Sequence, residues 1–220
     1  MRKIIISTFL SMDGVLQAPG GPDEDRSGQF KWGGWTFPYG DDVMNDTMGK
    51  IMSKSYDLLL GRRTYEIFAA HWPYQEDMIA ETFNRVQKYV VSTTPVDLSW
   101  QSSTLIAGDV VSELKKLKEQ DGPDLFVFGS GRLVQTLFAN HLADELHTWI
   151  FPVTLGSGKK LFEEGTQAVQ WKLTDTVIST TGVIIASYVP DGDVRTGLLG
   201  SGHVSEAEIA RRIKLAKEEN

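Results

Sequence analysis

The sequence predicts an α/β fold with a mainly parallel central sheet, helices on both faces of that sheet, and antiparallel strands at the C-terminal end. Between residue 3 and about residue 140, short and almost wholly apolar segments alternate with segments of helical periodicity. This alternation is typical of parallel strands that helices cover on both faces. From residue 146 to residue 189, strand-like segments follow one another with only turns between them, which indicates antiparallel pairing.

The first half of the predicted sheet alternates with helices. The β-branched segment 3–10 ends at a Ser-Met-Asp-Gly turn and is predicted as a buried strand. Apolar residues spaced near i, i+4, i+7 and i+8 predict an amphipathic helix over 41–55. Residues 56–61 predict a short strand that ends in glycine, and a helix follows from Arg62 to about His71, where Pro73 stops it.

The same pattern continues to residue 140 and then changes. Helices are predicted at 77–87, 109–120 and 131–140, and strands at 88–92, 125–128, 146–153, 172–179 and 182–189. The composition shifts after Pro190, so we expect one domain over residues 1–190 and a C-terminal extension over residues 191–220. A capping box of Ser205 and Glu208 predicts the start of a helix in that extension.

Residues 18–40 are predicted to form a long loop, because they are rich in glycine, proline and tryptophan and show no periodicity. A loop of this length within a domain is usually a lid, a binding loop or disordered. Trp32, Trp35 and Phe37 argue against disorder. We expect a lid over a binding site, and the alternative is a loop whose aromatic side chains pack in the core.

Composition excludes several classes of site and partner. The 220 residues carry 22 Lys and Arg against 29 Asp and Glu, a net charge of −7, and no cysteine. Without cysteine there are no disulfides, thiolate metal sites or cysteine nucleophiles, and a reducing compartment such as the cytoplasm is expected. The acidic balance argues against nucleic acid and anionic membranes as partners. No metal site is predicted, since the histidines are dispersed at positions 71, 141, 147 and 203.

Two glycine turns predict binding of an anion. The first, Gly61 followed by Arg62, Arg63 and Thr64, lies between a strand and the start of a helix. A helix N-terminus offers free N–H groups, and guanidinium groups suit a phosphate. The alternative is that Gly61 only ends the strand while both arginines are solvated.

The second turn repeats this arrangement, with residues 129–133 after an apolar strand. It lacks the third glycine of a dinucleotide-binding fingerprint, because Val134 occupies that position, and a simple tight turn is the alternative. Ligands of parallel sheets bind at the carboxyl ends of the strands, where both turns are expected. One ligand with two phosphate groups would satisfy both.

Several motifs occur together in an order that resembles the dihydrofolate reductase superfamily. Over residues 1 to about 190, the closest resemblance is to the branch that contains the C-terminal reductase domain of the bifunctional riboflavin-biosynthesis protein. The fold this implies is a dihydrofolate reductase-like α/β fold. The motifs are Met12-Asp13-Gly14, Leu60-Gly61-Arg62-Arg63-Thr64-Tyr65, Val90-Val91-Ser92-Thr93, Val127-Phe128-Gly129-Ser130-Gly131-Arg132, Ala143-Asp144-Glu145-Leu146 and Pro152-Val153-Thr154-Leu155-Gly156-Ser157-Gly158.

The resemblance implies NADPH as the cofactor. It would place Arg62 and Arg63 at the adenosine 2′-phosphate, with Ser92 and Thr93 flanking the adenosine end. Thr64 and the second turn would bind the pyrophosphate, and Thr8, Asp13 and Gly14 would lie near the nicotinamide. The residues of the second turn are Gly129, Ser130, Gly131, Arg132 and Leu133.

The resemblance also implies a stand-alone oxidoreductase that acts on a C=N or carbonyl-type bond of a pyrimidine- or pteridine-like heterocycle. The implied activity is similar to 5-amino-6-(5-phosphoribosylamino)uracil reductase. Asp42 is the predicted proton donor, with Asp41 and Asp46 as alternatives, because a carboxylate is expected early in the helix after the loop. Acidic residues also favour a first helical turn for electrostatic reasons alone. Asp13 and Trp35 are predicted to contact the substrate, although Trp35 could equally pack under the loop.

The sequence is also compatible with two other functions. The protein could reduce dihydrofolate, or it could be a non-catalytic nucleotide-binding module on the same fold. A homodimer is expected, because the antiparallel edge strands would otherwise be exposed and because the resembling reductases tend to pair.

Overall fold

The fold is that of a single mixed sheet with helices on both faces, seen in a computed structural model that describes residues 1–197, 202 and 204–218. The described part of the chain forms eight strands and six α-helices. The strands are β1 Ile4–Ser11, β2 Tyr56–Gly61, β3 Lys88–Val91, β4 Ser103–Ile106, β5 Asp124–Phe128, β6 Glu145–Phe151, β7 Trp171–Ile178 and β8 Ile184–Pro190. The helices are α1 Asp42–Met52, α2 Arg62–His71, α3 Met78–Arg85, α4 Val110–Glu119, α5 Gly131–Ala139 and α6 Glu206–Glu218.

The sheet order is β4-β3-β2-β5-β1-β6-β8-β7. All pairs from β4 to β6 are parallel, and β8 pairs antiparallel with both β6 and β7. The predicted α/β class and the change from parallel to antiparallel strands near the C-terminus are therefore confirmed. Because β2, β5 and β1 are neighbours and parallel, the turns that follow them meet at one edge of the sheet.

Both faces of the sheet are buried, as the apolar strands predicted. Ile4 and Ile6 of β1 pack in a core cluster with residues of α4 and α5, while Ile5 packs on the other face in a cluster with residues of α2 and α3. A third cluster joins α1 and the long loop to β6 and β8. Side chains alternate between faces along a strand, so this division follows from the extended backbone of β1.

The predicted helices and strands are present with boundaries that differ by at most three residues, and one strand was missed. β4 was not predicted because it has only four residues, of which Thr104 and Leu105 are exposed, and so it lacks an apolar run. An edge strand of this kind shows neither continuous hydrophobicity nor strong alternation.

The long loop contains only two short 3-10 turns, at Ser27–Gln29 and Phe37–Tyr39. Phe30 and Trp35 are buried in the third cluster, so part of the loop is packed against the sheet as the alternative interpretation stated. The part around residues 25–27 reaches the carboxyl edge of the strands instead, through contacts of Asp25 and Ser27 with Arg63.

The predicted C-terminal helix is present as α6, and the Glu208 N–H donates to the Ser205 hydroxyl as a helix cap. No side chain described in α6 is buried. Residues 198–201, 203 and 219–220 of the predicted extension lie outside the described residues. In the described part of the chain, no helix is both long and apolar enough to cross a membrane.

Candidate functional site

The two glycine turns predicted from the sequence form one hydrogen-bonded structure at the carboxyl ends of β2 and β5. The Gly61 N–H donates to the Ser130 hydroxyl oxygen at 3.0 Å. The Ser130 hydroxyl in turn donates to the Thr64 hydroxyl oxygen at 2.7 Å. A Cβ on Gly61 would lie 3.3 Å from the Ser130 side chain, so a glycine allows this close approach. The starts of α2 and α5 are therefore held side by side.

The N-termini of these two helices differ from those of α1, α3 and α4 because no side chain caps them. The capping residues of α1, α3 and α4 are Asp41, Asp77 and Asp109, and each carboxylate accepts a backbone N–H of its helix. Gly61 and Ser130, which begin α2 and α5, make no such side-chain bond. The first N–H groups of α2 and α5 are consequently available to a ligand, and the helix dipoles favour an anion there.

The backbone before α5 is also unusual, since two consecutive residues are left-handed. Gly129 has φ of 67° and Ser130 has φ of 66°. The left-handed region costs a non-glycine residue roughly 1–2 kcal/mol. Successive N–H groups in such a turn point into one concavity, a geometry that binds anions. Ser130 therefore adopts an unfavourable backbone conformation at the position where its hydroxyl joins the starts of α2 and α5.

Replacement of Ser130 separates the contribution of its hydroxyl group from the strain of its left-handed backbone. Ser130→Ala is expected to lower the free energy of unfolding by about 2 kcal/mol, because the Gly61 N–H loses its acceptor while the left-handed strain remains. Ser130→Gly loses the same hydroxyl but relieves the strain, so a smaller loss is expected. Urea unfolding of both variants measures the difference. Equal stability of Ser130→Ala and the unaltered protein would show that the hydroxyl link carries no energy.

Arg62 and Arg63 contact different loops. The Arg62 guanidinium donates to the Thr94 hydroxyl at 2.7 Å, and the Ser92 hydroxyl donates to the Thr94 carbonyl at 2.6 Å. Arg62 also lies 3.5 Å from the Glu66 carboxylate on its own helix. Arg62, Ser92 and Thr94 thus form one polar patch after β2 and β3, next to the exposed Thr93.

Arg63 points to the long loop instead. Its guanidinium lies 3.4 Å from the Asp25 carboxylate and 3.3 Å from the Ser27 hydroxyl. Consecutive residues of a helix project about 100° apart, so neighbouring side chains meet different surroundings. The sequence-based expectation placed both arginines at one phosphate, and the structure places their guanidinium groups on separate loops.

The remaining residues of the second turn divide between core and surface. Leu133 is 4% exposed and its side chain packs in the core, so only its backbone N–H can face a ligand. Arg132 is exposed. The Leu16 side chain lies 3.9 Å from where a Cβ on Gly131 would be, which brings the start of the long loop to the N-terminus of α5.

Asp13 joins two of the motifs that the resemblance rests on. Its carboxylate accepts the Leu155 N–H at 3.1 Å and the Gly156 N–H at 2.8 Å, as well as the Ser11 hydroxyl at 2.6 Å. These hydrogen bonds, the one from Ser11 foremost, lower the pKa of Asp13 to about 2. The carboxylate therefore holds the turn after β1 against the segment after β6. The predicted contact of Asp13 with a substrate stays a prediction.

The Asp13 contacts predict a dependence of stability on pH. An ordinary aspartate titrates near pH 3.8, and Asp13 in the folded protein titrates near pH 2. Its contribution is complete above pH 3.8 and is lost as the pH falls from there toward 2. The unfolding midpoint in urea is therefore expected to fall more steeply over this range in the unaltered protein than in Asp13→Asn. Parallel pH profiles for both proteins would contradict this role.

Thr8 and Gly14 flank the same turn. Thr8 is 4% exposed on β1, where it pairs with Thr148 of β6. Gly14 has φ of 80°, and its carbonyl accepts the Leu161 N–H at 3.0 Å. Thr8 is covered within β1 and Gly14 follows the turn at the end of that strand, and their positions near a nicotinamide stay predictions.

Trp35 and Asp42, two further residues predicted to act on the substrate, differ in burial. Trp35 is 8% exposed, its ring contacts Phe151 edge-on, and its Nε1 donates to the Gln17 carbonyl at 2.8 Å. Trp35 therefore packs under the loop, as the alternative interpretation stated. Its buried ring gives no support to the expectation that it stacks on a heterocyclic substrate. Asp42 is exposed in the first turn of α1.

Asp41, which was an alternative proton donor, is occupied as a cap. Its carboxylate accepts the Met44 N–H and both the N–H and the hydroxyl of Thr180, at 2.6–2.8 Å. These bonds hold its pKa below the ordinary value. Asp41 thereby joins α1 to the β7–β8 turn, and Asp42 keeps its carboxylate exposed.

The part of the chain that the structure describes contains no cluster of three or more side chains suited to a metal. His203, one of the four histidines considered, lies outside the described residues.

Sequence reasoning missed four residues of this region: Thr94, Gln17, Asp25 and Lys159. Thr94 follows the predicted Ser92-Thr93 pair directly, so the polar motif is one residue longer than predicted. Asp25 and Lys159 form an ion pair across 134 positions of the chain, and no local pattern could reveal it. Gln17 is 3% exposed and donates to carbonyls of the long loop. The sequence around Gln17 shows neither its burial nor these hydrogen bonds.

Known proteins resemble this chain in sequence over most of its length. Residues 2–185 match the family described as RibD C-terminal domain. The chain is 27% identical over 194 residues to the uncharacterized protein YyaP of Bacillus subtilis (strain 168), covering 85% of this chain and 94% of YyaP.

Two solved structures show the fold. A candidate riboflavin biosynthesis protein from Shewanella sp. PV-4 superposes with a TM-score of 0.66 at 19% identity, covering 86% of this chain and 99% of that chain. Dihydrofolate reductase from Enterococcus faecalis, complexed with NADP(H) and RAB-propyl, superposes with a TM-score of 0.54 at 15% identity, covering 86% and 96%. The predicted dihydrofolate reductase-like fold is confirmed.

Proposed function

Because the chain belongs to the RibD C-terminal domain family, we propose that it is an NADPH-dependent reductase of a pyrimidine- or pteridine-like heterocycle. Family membership and the reductase fold support an oxidoreductase in general. The observation that carries the proposal is the pair of uncapped helix N-termini joined by Ser130, because one dinucleotide has the phosphates to fill both.

The residues at the carboxyl edge fit the parts of such a cofactor. The pyrophosphate would be held by N–H groups at the starts of α2 and α5, that is by Thr64 and residues 129–133. A solved relative of the same fold carries NADP(H). The nicotinamide would lie toward Thr8, Asp13 and Gly14, where β1 ends.

The preference for NADPH over NADH follows from the patch around Arg62. The 2′-phosphate is the only charge that distinguishes the two cofactors. The Arg62 guanidinium already lies at hydrogen-bond distance from a hydroxyl of the loop after β3, so Arg62, Ser92 and Thr93 would surround that phosphate. Arg63, which points to the long loop, would lie beside the pyrophosphate instead.

The bound cofactor would supply a hydride to the carbon of a C=N or carbonyl bond, and the chain must supply a proton to the nitrogen or oxygen. We assign the proton to Asp42 in preference to Asp41, which is fully engaged as a helix cap, and the exposed Asp46 of α1 stays the alternative. Asp42 is exposed, so the carboxylate can exchange its proton with water directly. Asp42→Asn therefore tests both this role and any dihydrofolate reduction.

We also propose that the reductase comprises residues 1–190, that it works in the cytoplasm, and that it is a homodimer. The absence of cysteine fits a reducing compartment. β7 is the edge strand at the antiparallel end of the sheet, and the described residues Leu173, Ile178 and Ile184 of the β7–β8 pair are 51%, 67% and 43% exposed. Such an apolar edge favours pairing with a second copy.

The deciding experiment is binding of NADPH and NADH, followed through quenching of tryptophan fluorescence, and then oxidation of NADPH in the presence of pyrimidine and pterin substrates. Binding of NADPH with turnover of one of these heterocycles supports the proposal. NADPH binding without turnover of any heterocycle favours the alternative of a non-catalytic nucleotide-binding module. Failure to bind NADPH at millimolar concentration overturns the proposal.

A further inference from the structure

One carboxylate of the long loop neutralises two cations at the edge of the joined turns. Asp25 lies 2.5 Å from the Lys159 ammonium and 3.4 Å from the Arg63 guanidinium. The Asp25 side chain is 13% exposed, whereas those of Lys159 and Arg63 are 40% and 59% exposed. The carboxylate is therefore covered while the cations remain open to solvent.

Gln17 holds this part of the loop in place. The Gln17 amide nitrogen donates to the carbonyls of Asp25 and Ser27 at 3.0 and 2.9 Å, and the Gln17 amide oxygen accepts the Lys159 N–H at 3.1 Å. Gln17 is 3% exposed, so these bonds are shielded from water. Gln17 therefore adds a buried link between the loop and the segment after β6, beside the ion pair of Asp25 and Lys159.

Asp25 is an anion in the folded protein. Partial burial acts to raise the pKa of its carboxyl, but the hydrogen bonds from Lys159 and Ser27 outweigh burial and lower the pKa to about 2. The Ser27 N–H donates to the same carboxylate at 3.0 Å. Asp25 thus presents to Arg63 and Lys159 the kind of charge that a phosphate oxygen would present.

The position of this ion pair is next to the proposed pyrophosphate site. Arg63 precedes Thr64, which accepts the Ser130 hydroxyl that joins the two turns. Leu16, adjacent to Gln17, borders the start of α5 at Gly131. A cavity of about 250 Å³ opens beside Lys159, lined by both the loop and the segment after β6. The loop segment therefore runs along both helix starts and has space beside it.

We propose that Asp25 is an internal anion that occupies Arg63 and Lys159 and thereby sets the affinity of the site for pyrophosphate-bearing ligands. The inference rests on the proposed function in that the ligand is taken to be NADPH. Binding of the ligand displaces the Asp25 carboxylate from Arg63, and the affinity is lower by the cost of that displacement. No covalent step is involved.

The test compares Asp25→Asn with Asp23→Asn. Both remove one negative charge from the same loop, but Asp23 is exposed and pairs with Arg26, its neighbour along the chain. Asp25→Asn is expected to bind NADPH up to about 5-fold more tightly, since the Arg63 guanidinium no longer pairs with a competing carboxylate. Asp23→Asn is expected to bind like the unaltered protein. Inorganic pyrophosphate is measured in the same way as a second probe.

The outcomes separate this inference from the proposed function. If Asp25→Asn binds NADPH no more tightly than the unaltered protein does, the role of Asp25 is overturned and the proposal of NADPH as cofactor is unaffected. If no variant binds NADPH but Asp25→Asn binds pyrophosphate more tightly than Asp23→Asn, the role of Asp25 stands and the proposed cofactor falls. If neither probe binds any variant, both proposals fall.

Hydrogen exchange in the unaltered protein tests the displacement without a mutation. The Ser27 N–H is bonded to the Asp25 carboxylate, so its exchange is expected to speed up when pyrophosphate or NADPH binds. This measurement also decides the question if Asp25→Asn does not fold. Slower or unchanged exchange across residues 25–28 at saturating ligand would contradict displacement.

Discussion

Arg62→Ala is expected to weaken NADPH binding by roughly 10- to 100-fold and to leave NADH binding nearly unchanged. A charge-assisted hydrogen bond to a phosphate contributes about 1.5–3 kcal/mol, which corresponds to that range. Arg62 already donates to the Thr94 hydroxyl in the patch next to Ser92. The 2′-phosphate would join this patch and is absent from NADH, so the loss is specific to NADPH. Quenching of tryptophan fluorescence on titration with each cofactor measures both affinities.

Two arginine variants serve as controls for this prediction. Arg63→Ala is expected to weaken NADPH and NADH equally, because its guanidinium contacts Asp25 and Ser27 of the long loop, beside the proposed pyrophosphate site, and not the Ser92 loop. Arg85→Ala removes an exposed arginine at the last turn of α3 and is expected to change neither affinity. A loss for Arg62→Ala that is the same for both cofactors would place Arg62 at the pyrophosphate. Unchanged binding of NADPH would remove Arg62 from the site.

The fold could be predicted from the sequence wherever its elements have local causes. The strand Leu58-Leu59-Leu60 is apolar throughout because helices cover both its faces, and Gly61 marks its end. The Asp residues before α1, α3 and α4 cap their helices, as short polar side chains do at N-termini. β4 was missed because it is short and partly exposed, and its strand conformation depends on pairing with β3.

The candidate site could be predicted only in part, because its main contacts join distant residues. Each glycine turn is visible in the sequence, but the hydrogen bond between Gly61 and Ser130 spans 69 positions and depends on β2 pairing with β5. The aromatic residues of the long loop suggested ligand contact, and Trp35 instead completes the core beside Phe151. A pattern of residue types cannot distinguish these uses, since both require a flat apolar ring near the sheet.

Lys88 is a second residue whose environment could not be predicted from the sequence, and its contacts contribute more to stability. A lysine at the start of a strand is expected to face solvent, yet Lys88 is fully buried. Its ammonium donates to the carbonyls of Asn84, Val86 and Gln101 at 2.9–3.0 Å and lies 4.4 Å from the centre of the Trp100 ring. Burial lowers the pKa of Lys88 to about 8, so the group is still mostly protonated at neutral pH and all three N–H bonds can form.

Lys88→Met is expected to lower the free energy of unfolding by about 3 kcal/mol or more. Methionine fills a similar volume but removes the ammonium donor from three carbonyls, of which the Asn84 carbonyl keeps a second donor, the Gln101 amide at 2.9 Å. The Val86 and Gln101 carbonyls lose a hydrogen bond from a charged group, which contributes about 1.5–3 kcal/mol each. For a chain of this size the melting temperature should fall by roughly 6–12 °C. Urea and thermal unfolding measure the loss. Binding of NADPH below the melting temperature should be unaffected, because Lys88 joins the end of α3 to the β3–β4 pair and not to the joined turns.

Lys115→Met is the matched control, since it makes the same substitution at an exposed position of α4. Its stability is expected to stay within about 0.5 kcal/mol of the unaltered protein. The comparison isolates burial and hydrogen bonding from the change in net charge, which is identical in the two variants. If Lys88→Met were as stable as Lys115→Met, the carbonyls would have to find other donors, and the ammonium would not be what holds α3 to the edge of the sheet.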